Sequence, residues 1–147
     1  MTMDPVKPLR RFGAWQFLHP DLDVPEEFAG LQIGPAGRVQ MVDEEASVRQ
    51  ALLLLLSTSP GERVMRPTYG CALAQLVFAP NDDTTAGLAI HYVRQAIERW
   101  EPRIRITKLD ATRAPEAAER LTILLEYQIK STQRPGRAVF ALNLAGD

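Results

Sequence analysis

The chain has 147 residues, 46% of them apolar and 24% charged, with 17 basic against 18 acidic side chains and a formal net charge of −1. That length builds one domain around a single core and not two, and the near-neutral balance gives no general attraction to nucleic acid or to an anionic membrane. The single cysteine, Cys71, excludes an internal disulfide and fits a reducing compartment.

The first residues carry Asp4 and several prolines where a secretory signal would need an apolar stretch. The longest apolar run, Ala51–Leu56, falls far short of the ~20 residues of a membrane span. Residues 1–38 are rich in Pro and Gly and follow neither a helical nor a strand period. They still carry Phe12, Trp15 and Phe17, more than a disordered tail ordinarily does. The segment reads as an extended N-terminal arm, anchored through these side chains on the domain or on a neighbour, with packing in the chain's own core as the open alternative. Residues 39–147 read as the globular domain. At its threshold Arg38–Val42 alternates and suggests a short strand.

Asp43 is a good helix N-cap, and Glu44 and Glu45 follow in the first turn, where the helix dipole favours negative charge. Val48, Leu52, Leu55 and Leu56 form an apolar stripe. Leu53 and Leu54 extend it round nearly the whole cylinder, so this helix is expected to be enclosed on every side, by the fold itself or in part by a partner. Ser57–Gly61 ends it, since Pro60 cannot continue a helix and Pro-Gly suits the centre of a type II turn. Glu62–Gly70 (ERVMRPTYG) is expected to hold Val64 extended between Arg63 and Met65 ahead of Pro67. Cys71–Phe78 reads as a short helix with Leu73, Leu76 and Val77 inward, and Pro80–Asp83 as a loop ending in a cap.

The second long helix is the clearest element. Ala89, Tyr92, Val93, Ala96, Ile97 and Trp100 recur on one face, opposite Arg94, Gln95, Glu98 and Arg99. Pro102 drives Glu101 out of helical geometry and closes the helix. Period-2 alternation then takes over, in Ile104, Ile106 and Leu109, in Leu121 through Ile129, and in Ala138, Phe140, Leu142 and Leu144 after a turn containing Pro135-Gly136. The fold class is α+β: two long helices plus a short one packed on a small three-stranded antiparallel sheet, with the extended N-terminal arm. The third strand is expected to leave its outer edge uncovered, a hazard unless a partner strand occupies it.

The candidate acid/base pair is Glu62 and Glu101, each beside arginine. An adjacent guanidinium stabilises the charged carboxylate, whereas a general acid has to hold its proton, so these pairs read as structural or interfacial ion pairs. Asn81-Asp82-Asp83 is better explained as helix capping than as a metal site, and no glycine-rich phosphate loop precedes a helix. Neither metal nor cofactor is expected. Arg63, Arg66, Arg103 and Arg105, interleaved with Glu, suit protein recognition better than nucleic acid.

Three stretches carry a resemblance: GERVMRPTYGC (Gly61–Cys71), NDDTT (Asn81–Thr85) and WEPRI (Trp100–Ile104). In order and spacing, over about residues 39–144, the chain resembles the baseplate wedge family of contractile tails, called lysozyme-like or W-like. That family occurs in contractile phages, type VI secretion systems and extracellular injection particles. The resemblance implies a structural baseplate subunit, with 39–147 as the wedge domain, present in six copies around the tail tube. It implies that Glu101, Pro102 and Arg103 contact the helix bundle of larger wedge proteins, with Glu62, Arg63 and Arg66 beside them. It also implies that the last strand, at Ala138, Phe140 and Leu142, accepts an arm of the sheath subunit by strand addition and so starts sheath assembly. Tube or spike-hub proteins are further candidate partners. Such a subunit would assemble in the cytoplasm and end in a phage tail-like particle, with neither nucleic acid nor membrane as partner. The alternative is a peptidoglycan-cleaving lysozyme-like enzyme. The arm, with FGAWQF and HPDLDVPEEFAG, departs from a compact member, and the full GERVMRP favours a phage-like or extracellular particle over type VI secretion. On this reading Arg103→Ala should leave the domain folded and weaken wedge assembly.

Overall fold

The structure is a computed structural model that describes residues 14–15, 17–18, 30–31, 33–38 and 41–146. The chain divides into two compact units, Met1–Gln50 and Ala51–Asp147. Among the described residues of the first unit, four two-residue strands form two small antiparallel pairs. β1 (Ala14–Trp15) lies beside β4 (Met41–Val42), and β2 (Phe17–Leu18) beside β3 (Gly30–Leu31). Met41–Val42 bears out the end of the strand expected over Arg38–Val42; of the arm's expected apolar anchors, Ile33 is 69% exposed, while Phe12, Trp15, Phe17 and the others lie outside the described residues or their described side chains.

Helix α1 spans Glu44–Ser57. Asp43 caps it as expected, its Oδ1 accepting from the Ala46 N–H at 2.9 Å. Leu52, Leu53, Leu55 and Leu56 are all buried and Leu54 half-buried. The Leu run is thus largely covered, but Glu45, Ala46, Arg49 and Ser57 are exposed, so the helix is not enclosed on every side as expected. After it, Glu62 N–H donates to the Ser59 carbonyl at 3.2 Å and Gly61 sits at φ +97°, the geometry of a type II turn at Pro60-Gly61.

The helix expected over Cys71–Phe78 is a single 3₁₀ helix, Ala72–Leu76, with Leu73 and Leu76 buried and Val77 half-exposed. Five residues between two chain reversals are too few to nucleate an α-helix. Helix α2 spans Asp83–Trp100. Asp82 caps it, accepting from Thr85 N–H at 2.9 Å, and the Thr85 hydroxyl donates to the Pro80 carbonyl at 2.6 Å. Its predicted face holds: Ala89, Val93, Ala96 and Ile97 are buried, with Tyr92 and Trp100 at the margin.

Strands β5 (Ile104–Ala114), β6 (Ala117–Ile129) and β7 (Pro135–Asn143) form an antiparallel meander in that order. On central β6, Leu121, Ile123, Leu125, Tyr127 and Ile129 are at most 4% exposed, which makes this face the floor of the core on which α2 packs. β5 contains a bulge between Ile106 and Lys108. Ile104 and Ile106 are even-numbered while Leu109 is odd; the extra residue shifts the phase and sets Leu109 opposite Leu125.

The last turn differs from expectation. The reversal lies at Lys130–Arg134, closed by hydrogen bonds from Ile129 N–H to Arg134 O and from Gln133 N–H to Ile129 O, and Pro135-Gly136 opens β7 instead. Gly136 lies opposite Tyr127, whose ring occupies the space of a Cβ. A glycine there makes room for an aromatic ring and does not make the turn.

Candidate functional site

The chain between α1 and the 3₁₀ helix doubles back on itself. Cys71 N–H donates to the Thr58 carbonyl at 2.8 Å and Gly61 N–H to the Pro67 carbonyl at 2.7 Å. Gly70, at φ +131°, passes so near the start of the loop that an added Cβ would lie 2.5 Å from the Thr58 oxygen. Loop 58–71 is thus closed at its base. Its tip is a turn in which Arg66 N–H reaches the Arg63 carbonyl at 3.3 Å. Val64 and Met65 therefore lie on a bend and not in the extended piece expected ahead of Pro67, because the closed base obliges the chain to return within a few residues.

The loop reaches the end of α2 through Tyr69. Its ring meets Trp100 edge to face, with centroids 5.3 Å apart. The Arg63 guanidinium stands 4.4 Å over Tyr69, and that of Arg99 5.1 Å over Trp100. Arg63, Tyr69, Trp100 and Arg99 form one ladder, two rings in edge-to-face contact with a cation at each end. Burial pushes the Tyr69 phenol above its ordinary value; Arg63 opposes this, Glu101 adds to it and Arg66 opposes it. The phenol thus feels charges from both motifs, which lie about thirty residues apart in the sequence.

Past Trp100 the backbone of Glu101 still donates to Ile97 at 2.8 Å, and Pro102 turns the chain outward. The turn folds Arg103 back so that its Nε and Nη2 reach the two carboxylate oxygens of Glu101 at 2.6 and 2.9 Å. The Arg103 carbonyl accepts from Lys130 N–H at 2.9 Å, which ties the motif to the β6–β7 turn. Glu101 is 5% exposed, the only buried carboxylate among the described residues. This bidentate geometry is the strongest form of the pair. Glu62 is exposed on the loop, and Arg66 is exposed beside the tip.

The expected strand-edge residues sit differently. Ala138 and Phe140 are buried, and Leu142 is half-buried, on the core face. Leu144 N–H donates to Glu119 O across from it, so in the alternation of an antiparallel ladder the pairs Leu142–Leu121, Phe140–Ile123 and Ala138–Leu125 are the hydrogen-bonded ones. The main-chain groups of Val139 and Ala141 point the other way, toward the edge, where among the described residues no strand is paired. Pro135 falls in this same outward register, where a missing N–H does no harm to the ladder. Sequence pattern alone singled out the inward set because only side chains leave a pattern.

A second set was also missed. Tyr69 carried no periodic signal and Trp100 read as part of the helix's core face; both lie in the motifs GERVMRPTYGC and WEPRI, but nothing in the sequence showed that the two rings meet. Among the described residues, no group of His, Cys, Asp or Glu could hold a metal, and no helix is long and apolar enough to cross a membrane.

These features define an α+β module that presents a braced loop-and-helix-end platform and a last strand whose outer edge is unpaired among the described residues. Residues 42–134 match the family described as baseplate wedge protein gp25, and the chain belongs to that family. Baseplate protein W of Escherichia phage P2 is 28% identical over 88 residues, covering 60% of this chain and 75% of that protein. A putative tail lysozyme from Geobacter sulfurreducens is 34% identical, with a TM-score of 0.67 over 73% of this chain and 96% of that one. A chain of the anti-feeding prophage baseplate is 25% identical, with a TM-score of 0.59 over 78% of this chain and 80% of that one.

Proposed function

We propose that this protein is a structural subunit of the baseplate of a contractile injection particle, joining the larger wedge proteins to the first ring of sheath. The observation that carries the reading is the convergence of two distant motifs, where Tyr69 of the closed loop meets Trp100 beside the Glu101–Arg103 pair. Such bracing gives a rigid face at low conformational cost on binding. On this reading Glu101, Pro102 and Arg103, with Glu62, Arg63 and Arg66, form the face that meets the wedge helix bundle. The subunit assembles in the cytoplasm in six copies per particle, near tube and spike-hub proteins.

The sheath join is strand addition at β7, through the main chain of Val139 and Ala141 alongside the expected Ala138, Phe140 and Leu142. Each added hydrogen bond is worth only about 0.5–1.5 kcal/mol net, so several act together. The role is non-catalytic. Both oxygens of Glu101 are engaged by Arg103, leaving neither poised to protonate a leaving group.

The experiment is a proline at the edge. Val139→Pro or Ala141→Pro should leave the fold intact, as checked by circular dichroism and melting, and should abolish sheath nucleation on assembled baseplates. Full-length sheath on folded Val139→Pro baseplates would overturn the strand-addition reading. Clearing of a peptidoglycan suspension that Glu62→Gln or Glu101→Gln removes would instead establish the enzymatic alternative.

A further inference from the structure

The most exposed large apolar side chains among the described residues are adjacent: Val64 at 94% and Met65 at 91%. We propose that they form a two-residue plug that seats in an apolar socket, rimmed with carboxylates, on a partner protein. This rests on the reading that the loop side of the domain meets the larger wedge subunits, and it names the anchor and the chemistry of its receptor.

Three observations carry it. The tip is held out by construction. The Arg63–Arg66 turn sets its bend, and the hydrogen bonds of Gly61 to Pro67 and Cys71 to Thr58 close its base. The close pass of Gly70 over Thr58 leaves the base no slack. An exposed apolar pair on a mobile loop would fold onto the nearest apolar surface, whereas this one is prevented from doing so.

Charge supplies the second observation. Arg63 and Arg66 flank the tip directly, and Glu62 is the only carboxylate on loop 58–71. Arg63 is oriented by the Tyr69 ring, and Arg66 makes no ion pair among the described residues. An apolar pair inside a net-positive collar is complementary to a socket with an acidic rim, and guanidinium groups suit bidentate pairing there.

The third observation separates a protein from a lipid surface. Interfacial membrane anchors use Trp or other amphipathic rings beside basic residues. The aromatic ring of this loop, Tyr69, is instead turned onto Trp100 and covered by Arg63. What remains at the tip is aliphatic, Val64 and Met65, with no ring to sit at a lipid interface.

The test uses the full chain and the larger wedge subunits of its own particle, co-expressed and co-purified, with binding titrated at several salt concentrations. The doubly substituted Val64→Ser/Met65→Ser chain should melt as the parent does and bind the wedge subunits at least roughly tenfold more weakly. Arg66→Glu should also bind more weakly, most at low salt. If the parent binds and the double variant binds equally well, the plug is overturned and the baseplate reading stands. If the parent does not bind at all, both fall. Unchanged wedge binding, with loss of retention on phosphatidylglycerol–phosphatidylcholine vesicles, would overturn the plug in favour of a membrane contact.

Discussion

Replacing Arg103 with alanine removes both hydrogen bonds to a carboxylate that is 5% exposed. Breaking a fully buried pair in this way costs about 3–5 kcal/mol, because the surviving charge is left without a partner. The Arg103 side chain is 24% exposed, so water can reach part of the vacated space, and a loss of about 2–3 kcal/mol is expected. With a urea slope of about 2 kcal/mol/M for a chain of this size, the unfolding midpoint should fall by roughly 1 M with the slope unchanged. Arg103→Lys keeps the charge but loses the fork, and should fall in between. Glu101→Leu combined with Arg103→Met removes both charges at similar volume and should recover most of the loss, to within about 1 kcal/mol of the parent. A midpoint for Arg103→Ala within error of the parent would refute the idea that this pair is a buried structural brace. The same geometry adds to the expectation from sequence, that Arg103→Ala would leave the domain folded, a measurable loss of stability. Weakened wedge assembly by that variant counts as an interface effect only where the charge-free double variant is weakened too.

Two further outcomes follow from the closed loop and its base. Gly70→Ala would meet both a positive φ and an oxygen 2.5 Å from the new methyl, and should cost at least about 2 kcal/mol, read by thermal or urea unfolding; a neutral result would mean that the loop base is not closed. Cys71 is 2% exposed, and burial pushes its thiol up to about 11. It should resist Ellman's reagent at pH 8 in the native protein and react promptly in denaturant, and rapid native labelling would contradict the packing. Because the folded thiol holds its proton more tightly than the unfolded one, its contribution to stability is complete below about pH 9 and is lost as the pH rises through about 11.

Several features were legible in the amino-acid order because a local period encodes them. The stripe Ala89–Trp100 can bury only one face of a helix, and the alternation Leu121–Ile129 can bury only one face of a strand. Asp43 announced a helix start by a side chain that bonds to a backbone N–H three residues on, the Pro80–Asp83 run announced a second start without saying which residue caps it, and Pro102 announced a helix end by what its ring forbids. Family resemblance was legible in the same way, from short motifs in the right order.

What the period could not carry was decided by where the chain returned. The bulge after Ile106 was set by the need to bring Leu109 onto the core face, and Gly136 was placed by the Tyr127 ring across the ladder. Whether a β7 residue offers its main chain inward or outward depends on its register with β6, which no pattern within β7 reveals. The meeting of Tyr69 with Trp100 depends on a loop closing on itself and then lying against a helix end far along the sequence. Periods are short-range consequences of backbone geometry, so one strand or helix is enough to express them. Pairings between distant side chains depend on the positions of every element between them, and only the folded chain supplies those.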